Sequence, residues 1–202
     1  MMNTQFKRAK SLAFAVACAT VTAVPHSLAA GSNAPNILYI FTDDQSYRSV
    51  SAYEGAHDWV KTPNIDALAA SGMRFRTCYT GASCQMSRSM MLTGRLQHAI
   101  KSFDITNYPS CDYDPKIQPF WPANFRKNGY KTACIGKWHL GADVGHGRDW
   151  DYSVIWDRMG KGNGSAYYYK TQVRYNGGER VPLGGYSTDR YTELAVDYIL
   201  NK

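Results

Sequence analysis

Two short apolar runs in the sequence predict buried β-strands. Residues Ile37–Phe41 form an unbroken apolar run, which is the pattern of a strand covered on both faces. Thr132–Ile135 form a second, shorter run with a glycine on either side. Between them, Met73–Tyr79 is also expected to be extended. Strands buried on both faces belong to the interior of a sheet.

Four segments predict helices. The pair Thr62-Pro63 has the form of a helix start, an N-cap residue followed by proline, and Gly72 is expected to end this helix. The other three predicted helices cover residues 85–92, 119–128 and 187–199. The apolar sides of the first and last helices consist of Ile65, Leu68 and Ala69 and of Tyr191, Leu194, Ala195, Tyr198 and Ile199, respectively.

The stretch between residues 141 and 184 is rich in glycine and tyrosine and carries several turn signals, among them Asn176-Gly177. We expect loops and a short hairpin here, and we expect them to line the functional site of the chain. The order of the predicted elements along the chain is β, α, β, α, β. This order indicates an α/β fold with a mostly parallel sheet between helices.

Composition indicates one globular domain with a weak basic bias. The chain has 202 residues, of which 44% are apolar and 19% charged, and these are ordinary values for a globular protein. The net charge of +7 falls to +4 without residues 1–30, which hold three of the 23 basic residues and no acidic residue. The sequence has no basic stripe interleaved with aromatic residues, which argues against nucleic acid as a partner.

Residues 1–30 have the pattern of a secretory signal peptide. A positive stretch, Lys7–Lys10, precedes a short apolar stretch, Ser11–Val24, and a small-residue cleavage site. The apolar stretch is too short for a transmembrane helix, and no later segment is apolar enough to span a membrane. We therefore expect export, to the periplasm or to the medium. Cys18 lies in a faint lipoprotein-box pattern that lacks the usual leucine, which argues against a lipid anchor.

The segment from Cys84 to Arg88 carries the strongest chemical signal. It reads Cys-Gln-Met-Ser-Arg at the start of a predicted helix, so that Cys84, Ser87 and Arg88 share one helical face. The free N–H groups and the positive dipole end at a helix start favour anions and thiolates. The Arg88 guanidinium offers a fork of donors that suits a tetrahedral oxyanion. The alternative is a partly buried cysteine in an ordinary helix turn.

Polar residues also follow both predicted strands. Lys137 and His139 come where the second strand ends, an edge at which ligands collect in α/β sheets, and they suit anion binding and proton transfer. The alternative for them is a solvated lysine and a capping histidine. Asp43 and Asp44 end the first strand, where two adjacent carboxylates favour a hard cation, Ca²⁺ or Mg²⁺. The alternative for these is a polar strand end with a helix-capping aspartate.

Taken together, these segments resemble the sulfatase family. Cys84–Arg88, with Leu-Thr-Gly-Arg following at residues 92–95, resembles the first sulfatase signature, C-x-P-S-R, except that Met86 stands where the family usually has proline. Gly129–Leu140 resembles the second signature along its whole length. The resemblance is strong over residues 35–140, and it implies the alkaline-phosphatase-like α/β fold of that family.

The resemblance also implies a chemistry. In sulfatases a maturase oxidises the signature cysteine to formylglycine, the catalytic nucleophile, and an Asp-Asp pair binds Ca²⁺ (Mg²⁺ is possible). The implied catalytic residues are Cys84, Arg88, Lys137 and His139, and the implied metal ligands are Asp43, Asp44 and Cys84 in its modified form. By the same resemblance, Arg88 and Lys137 stabilise charge, and His139 removes a proton. The implied substrate is a sulfated small molecule or carbohydrate.

Members of the sulfatase family are more than twice as long as this chain. Residues 31–202 are therefore expected to be the N-terminal part of a catalytic domain that is incomplete at its C-terminus. The family's second histidine, its second lysine and an Asp-Asn pair have no counterpart here, so we expect little or no activity from these 202 residues alone. A formylglycine-dependent phosphodiesterase or phosphonate hydrolase, or an inactive sulfatase-like fragment, are the alternatives.

The remaining cysteines bear on the redox state of the chain. Cys134 lies in a predicted buried strand, where a thiol is usually inert. Cys78 and Cys111 are candidates for a disulfide in an oxidising compartment, but the sequence alone leaves their connectivity open.

Overall fold

The computed structural model describes residues 34–100, 103–104, 112–158 and 168–201. The predicted signal peptide, including Cys18, lies outside these residues, and so does Cys111. The expected domain boundary near residue 31 therefore stays a prediction. No helix in the described part of the chain combines the length and the apolar character that a membrane crossing requires.

Helices and strands alternate along the described residues. The helices are α1 (Pro63–Ser71), α2 (Cys84–Thr93), α3 (Trp121–Lys127) and α4 (Ser187–Asn201). The strands are β1 (Phe103–Asp104), β2 (Asp112–Tyr113), β3 (Ala133–Lys137), β4 (Tyr152–Trp156), β5 (Gln172–Tyr175) and β6 (Arg180–Pro182). All four predicted helices are confirmed, with ends that differ by a few residues from the expected ones.

Local signals explain where the helices begin and end. Pro63 opens α1, where its missing N–H would have no intrahelical partner in any case, and Gly72 follows the last residue. Gly94 ends α2 with a left-handed backbone, φ 65°, and its N–H donates to the Met90 carbonyl oxygen at 2.8 Å. Gly129, at φ 85°, turns the chain away from α3 in the same way.

Strands β3 to β6 form one open sheet in the order β3-β4-β5-β6. The β3–β4 pair is parallel, whereas the β4–β5 and β5–β6 pairs are antiparallel. Strands β1 and β2 form a separate antiparallel pair. The α/β class is confirmed, but the described sheet is mixed rather than mostly parallel. The connection between β5 and β6 is a short turn at Asn176-Gly177, so these two strands pair as the expected hairpin.

Alternate residues of β4 pack into two apolar clusters on opposite faces of the sheet. One cluster contains Leu92, Tyr113, Phe120, Trp138, Leu140, Val144, Trp150 and Ile155. The other contains Val154, Trp156, Val173 and Leu183, with Tyr191 and Leu194 of α4 packed against it. The prediction that α4 turns an apolar side to the core is confirmed at these two positions, whereas Ile199 is exposed.

Residues Ile37–Phe41, expected as a doubly buried strand, are not a strand. The segment has no regular structure, and four of its five side chains are exposed, Ile40 by 75%. An apolar run predicts burial, but a strand also needs a backbone neighbour to pair its N–H and C=O groups. None of the described strands pairs with this segment.

The structure adds detail in three other segments. Residues 141–184 were expected to contain loops and a hairpin, yet they also hold β4, a central strand with four fully buried side chains. The apolar side of α1 is not covered, since Leu68 is 70% exposed. Met73–Tyr79 pairs with no described strand.

Candidate active site

The start of α2 is held tightly against the loop that precedes it. Cys84 is the first residue of the helix, and Ser83 before it is extended, with φ −149° and ψ 169°. A Cβ atom at Gly81 would lie only 2.6 Å from the Ser87 backbone nitrogen, so this position has no room for a side chain. The Ser87 hydroxyl donates to the Gly81 carbonyl oxygen at 3.2 Å. These contacts fix where the Cys84 side chain leaves the helix.

Two further site residues, Lys137 and His139, lie at the end of β3. Lys137 is the last residue of the strand, and the Trp138 N–H continues the ladder by donating to the Trp156 carbonyl oxygen at 2.9 Å. His139 then takes a left-handed backbone, φ 60°, which is uncommon for a residue other than glycine. Its side chain is fully buried.

Cys84 and His139 meet at this edge of the sheet. The Cys84 Sγ lies 3.3 Å from the His139 Nδ1, and the Gln85 Nε2 lies 2.9 Å from the His139 Nε2 on the other side of the ring. The ring is thus held with Nδ1 facing position 84 and Nε2 facing the Gln85 amide. The imidazole is thereby oriented for proton exchange with a group at that position.

The Asp43 carboxylate pairs with two cationic side chains. Its Oδ2 accepts from the Arg88 Nη2 and from the Lys137 Nζ, each at 2.7 Å. The Arg88 Nη1 also donates to the Lys137 carbonyl oxygen at 2.6 Å, which ties α2 to the end of β3. Burial alone would raise the pKa of Asp43, but the hydrogen bonds from Lys137 and Arg88 outweigh it and hold that pKa below its ordinary value. Asp43 is therefore a carboxylate that neutralises part of the positive charge here.

The structure thus brings together five of the six residues that the sequence singled out: Asp43, Cys84, Arg88, Lys137 and His139. Asp44 follows Asp43 with a left-handed backbone, φ 55°, and an exposed side chain. None of the contacts described above involves it. Among the described residues, no three histidine, cysteine, aspartate or glutamate side chains are grouped so as to hold a metal ion.

Comparison with known proteins decides between a chance pattern and a family site. The family model described as Sulfatase matches residues 35–202. This chain belongs to the sulfatase family. The mixed α/β architecture described above is consistent with the alkaline-phosphatase-like fold.

Several curated sulfatases are similar to this sulfatase-family chain. It is 31% identical over 169 residues to the N-acetylglucosamine-6-O-sulfatase of Bacteroides thetaiotaomicron, which covers 83% of this chain and 28% of the relative. It is 38% identical over 120 residues to arylsulfatase A of Homo sapiens (57% and 23%). It is 33% identical over 135 residues to the arylsulfatase of Klebsiella aerogenes (61% and 28%). The chain therefore spans about a quarter of the length of these curated relatives.

The sequence did not indicate one residue of this candidate site. Arg158 follows the end of β4, and its Nη1 lies 3.8 Å from the Cys84 Sγ and 3.5 Å from the His139 Nδ1. A signal for it existed, because Val154-Ile155-Trp156 is an apolar run that ends in charged residues, as the other two runs do. The surrounding glycines and tyrosines hid that run. Gln85 lies within the signature but its residue type indicates no role there, and the structure places it beside the imidazole.

Two other thiols lie in the described part of the chain, Cys78 and Cys134. Burial raises the pKa of the Cys134 thiol to about 12, in keeping with the inert role expected for it. Cys78 is an exposed free thiol. Its pairing with Cys111 stays untested, since Cys111 lies outside the described residues.

Proposed function

We propose that this sulfatase hydrolyses sulfate monoesters of a small molecule or carbohydrate, with formylglycine made from Cys84 as its nucleophile. One observation carries the proposal: the Cys84 side chain leaves the first turn of α2 with an oriented imidazole at 3.3 Å and a guanidinium at 3.8 Å. An oxygen nucleophile at this position would have a proton acceptor and cationic groups around it. The name of the Bacteroides thetaiotaomicron relative supports a sulfated sugar as the substrate.

Formylglycine at position 84 would supply an oxygen nucleophile where a thiol now lies. The position suits it, because the side chain is partly exposed at a helix start, where N–H groups and the dipole favour developing negative charge. His139, with its Nδ1 facing position 84, takes up or returns the proton of the reacting group. Gln85 keeps the ring in that orientation. Arg88 and Lys137 place two positive charges beside the reacting sulfate, with Asp43 holding both in place.

Asp43, Asp44 and the modified residue 84 would contribute to a Ca²⁺ or Mg²⁺ site. The donor chemistry fits, because two adjacent carboxylates are hard oxygen ligands and the low pKa of Asp43 keeps it ionised. A bound ion would supply a positive charge that polarises the sulfate group. Ca²⁺ takes about six to eight oxygens, and these side chains provide only part of such a shell.

The nucleophile is tested by conversion of Cys84 in cells. We expect that coexpression with a formylglycine-generating maturase replaces the thiol by an aldehyde, read by mass spectrometry of the peptide that contains position 84. The Met86→Pro variant, which restores the usual signature, is expected to convert more completely. The Cys78 peptide is the internal control and should keep its thiol.

A thiol that persists at position 84 in both proteins, while a known sulfatase is converted in the same cells, would overturn the proposed nucleophile.

The class of ester is tested by competition between two inorganic anions. Inorganic sulfate, and not phosphate, is expected to protect the aldehyde from an aldehyde-reactive hydrazide. Preferential protection by phosphate would point instead to a phosphodiesterase or phosphonate hydrolase.

A further inference from the structure

The parallel strands β3 and β4 set two side chains at matching places beyond their carboxyl ends. The register pairs Lys137 with Trp156, the last residues of the two strands. His139 and Arg158 each come two residues later, and both have a left-handed backbone, with φ 60° and φ 57°. The same offset and the same turn bring the two side chains to the same spot, with the Arg158 Nη1 3.5 Å from the His139 Nδ1.

Arg158 reaches the nucleophile position with its guanidinium group. Its Nη1 lies 3.8 Å from the Cys84 Sγ. Arg88 and Lys137 both donate to the Asp43 Oδ2 at 2.7 Å. A negatively charged group that enters beside position 84 lies within reach of the Arg158 guanidinium.

The residue before Arg158 is anchored. Asp157 is 1% exposed, and its Oδ2 accepts from the Arg174 Nε and the Arg180 Nη2, each at 2.9 Å. These two arginines belong to β5 and β6, so the charges of two neighbouring strands hold the end of β4. This anchor fixes the backbone from which the Arg158 side chain extends.

We propose that Arg158 is a sulfate-binding residue of this site, donating to an oxygen of the ester's sulfate group beside position 84. A guanidinium presents several N–H donors in a plane, and its hydrogen bonds to an oxyanion are among the stronger ones in proteins. The identity of the anion rests on the proposed function. The position of a cationic anion-binding group at Cys84 rests on the geometry alone.

The test uses the charge of an alkylating reagent on the unconverted protein. The Cys84 thiolate displaces iodide from iodoacetate, an anion, or from iodoacetamide, a neutral molecule: an S–C bond forms, the C–I bond breaks and iodide leaves. Both reagents react with the same thiolate, so the ratio of their rates cancels the ionisation of the thiol. Cys78, the exposed free thiol, provides the reference ratio in the same molecule.

We expect the ratio of iodoacetate to iodoacetamide rates to be about tenfold higher at Cys84 than at Cys78, the factor that corresponds to about 1.4 kcal/mol. Arg158→Gln should lower the ratio at Cys84 most of the way to the Cys78 value, and Arg158→Lys should keep much of it. Arg190→Gln on the exposed side of α4 is the matched control and should leave it unaltered. Inorganic sulfate should slow alkylation of Cys84 in the wild-type chain and in Arg190→Gln, and should have little effect in Arg158→Gln.

Equal ratios at the two thiols of the wild-type chain would overturn the proposal, and so would a high ratio that survives Arg158→Gln. A role limited to packing predicts no difference between the two reagents, so selectivity separates binding from structure. If circular dichroism shows that Arg158→Gln does not fold, the wild-type ratio and the sulfate protection decide, with Arg158→Lys as the folded variant. Conversion of Cys84 by a maturase is measured separately, so failure here leaves the proposed nucleophile standing.

Discussion

Removing the Asp157 carboxylate should destabilise the sheet. This side chain is 1% exposed and joins β4 to Arg174 of β5 and Arg180 of β6. Removing one partner of a fully buried ion pair costs about 3–5 kcal/mol. The arginine side chains are 22% and 35% exposed, so water solvates them in part once the carboxylate is gone. After that discount we expect Asp157→Ala to lower the free energy of unfolding by about 2–3 kcal/mol.

Urea unfolding followed by tryptophan fluorescence measures this loss, with the midpoint and the slope fitted separately. The matched control is Glu193→Gln, which breaks the Arg190–Glu193 pair on the exposed surface of α4 and should cost no more than about 0.5 kcal/mol. A loss in Asp157→Ala that is no larger than in this control would refute the reasoning. It would mean that the two guanidinium groups find equally good partners in solvent.

Three further predictions concern the site. Gly81→Ala should destabilise the chain by about 1–3 kcal/mol in the same urea assay, because its Cβ would meet backbone, whereas Ala82→Ser at the exposed next position should be near neutral. The pKa of Asp43 is lower in the folded chain, so its stabilising contribution should be present above the unfolded pKa of about 4 and be lost as the pH falls through the folded value. A stability-versus-pH profile should show this loss in the wild type, and Asp43→Asn should flatten it; equal slopes would contradict the assigned cause. Calorimetry with Ca²⁺ should show weak or no binding to this chain, because its side chains provide only part of a Ca²⁺ shell. Tight, saturable binding that survives Asp43→Asn would contradict this expectation.

The helices and the motif residues were predictable because their signals are local. Pro63 and Gly94 mark helix ends through their own backbone restrictions, independently of what packs against the helix. Cys84 and His139 were found because each lies in a short segment whose residue types suggest their chemistry. Their contact, however, depends on how α2 docks on the sheet, and that information is spread over the whole core.

The features that the sequence did not predict depend on pairing between segments that are distant along the chain. Arg158 belongs to the site only because β4 lies parallel to β3 in a register that matches Lys137 with Trp156. A run of glycines and tyrosines around β4 favoured loops, and burial overrode that preference. The prediction for Ile37–Phe41 failed for the converse reason, since apolar character alone does not supply a neighbouring strand.

The two left-handed residues at the edge of the sheet imply a trade-off between stability and function. A residue other than glycine in this conformation costs about 1–2 kcal/mol, and His139 and Arg158 both adopt it. Selection for stability alone would therefore favour glycine at position 158, where the change would relieve the backbone and remove the guanidinium. A stability screen of random variants should recover Arg158→Gly among its winners, while a screen for anion-selective labelling of Cys84 should discard it. The same backbone turn is thus a weak point for folding and a requirement of the site.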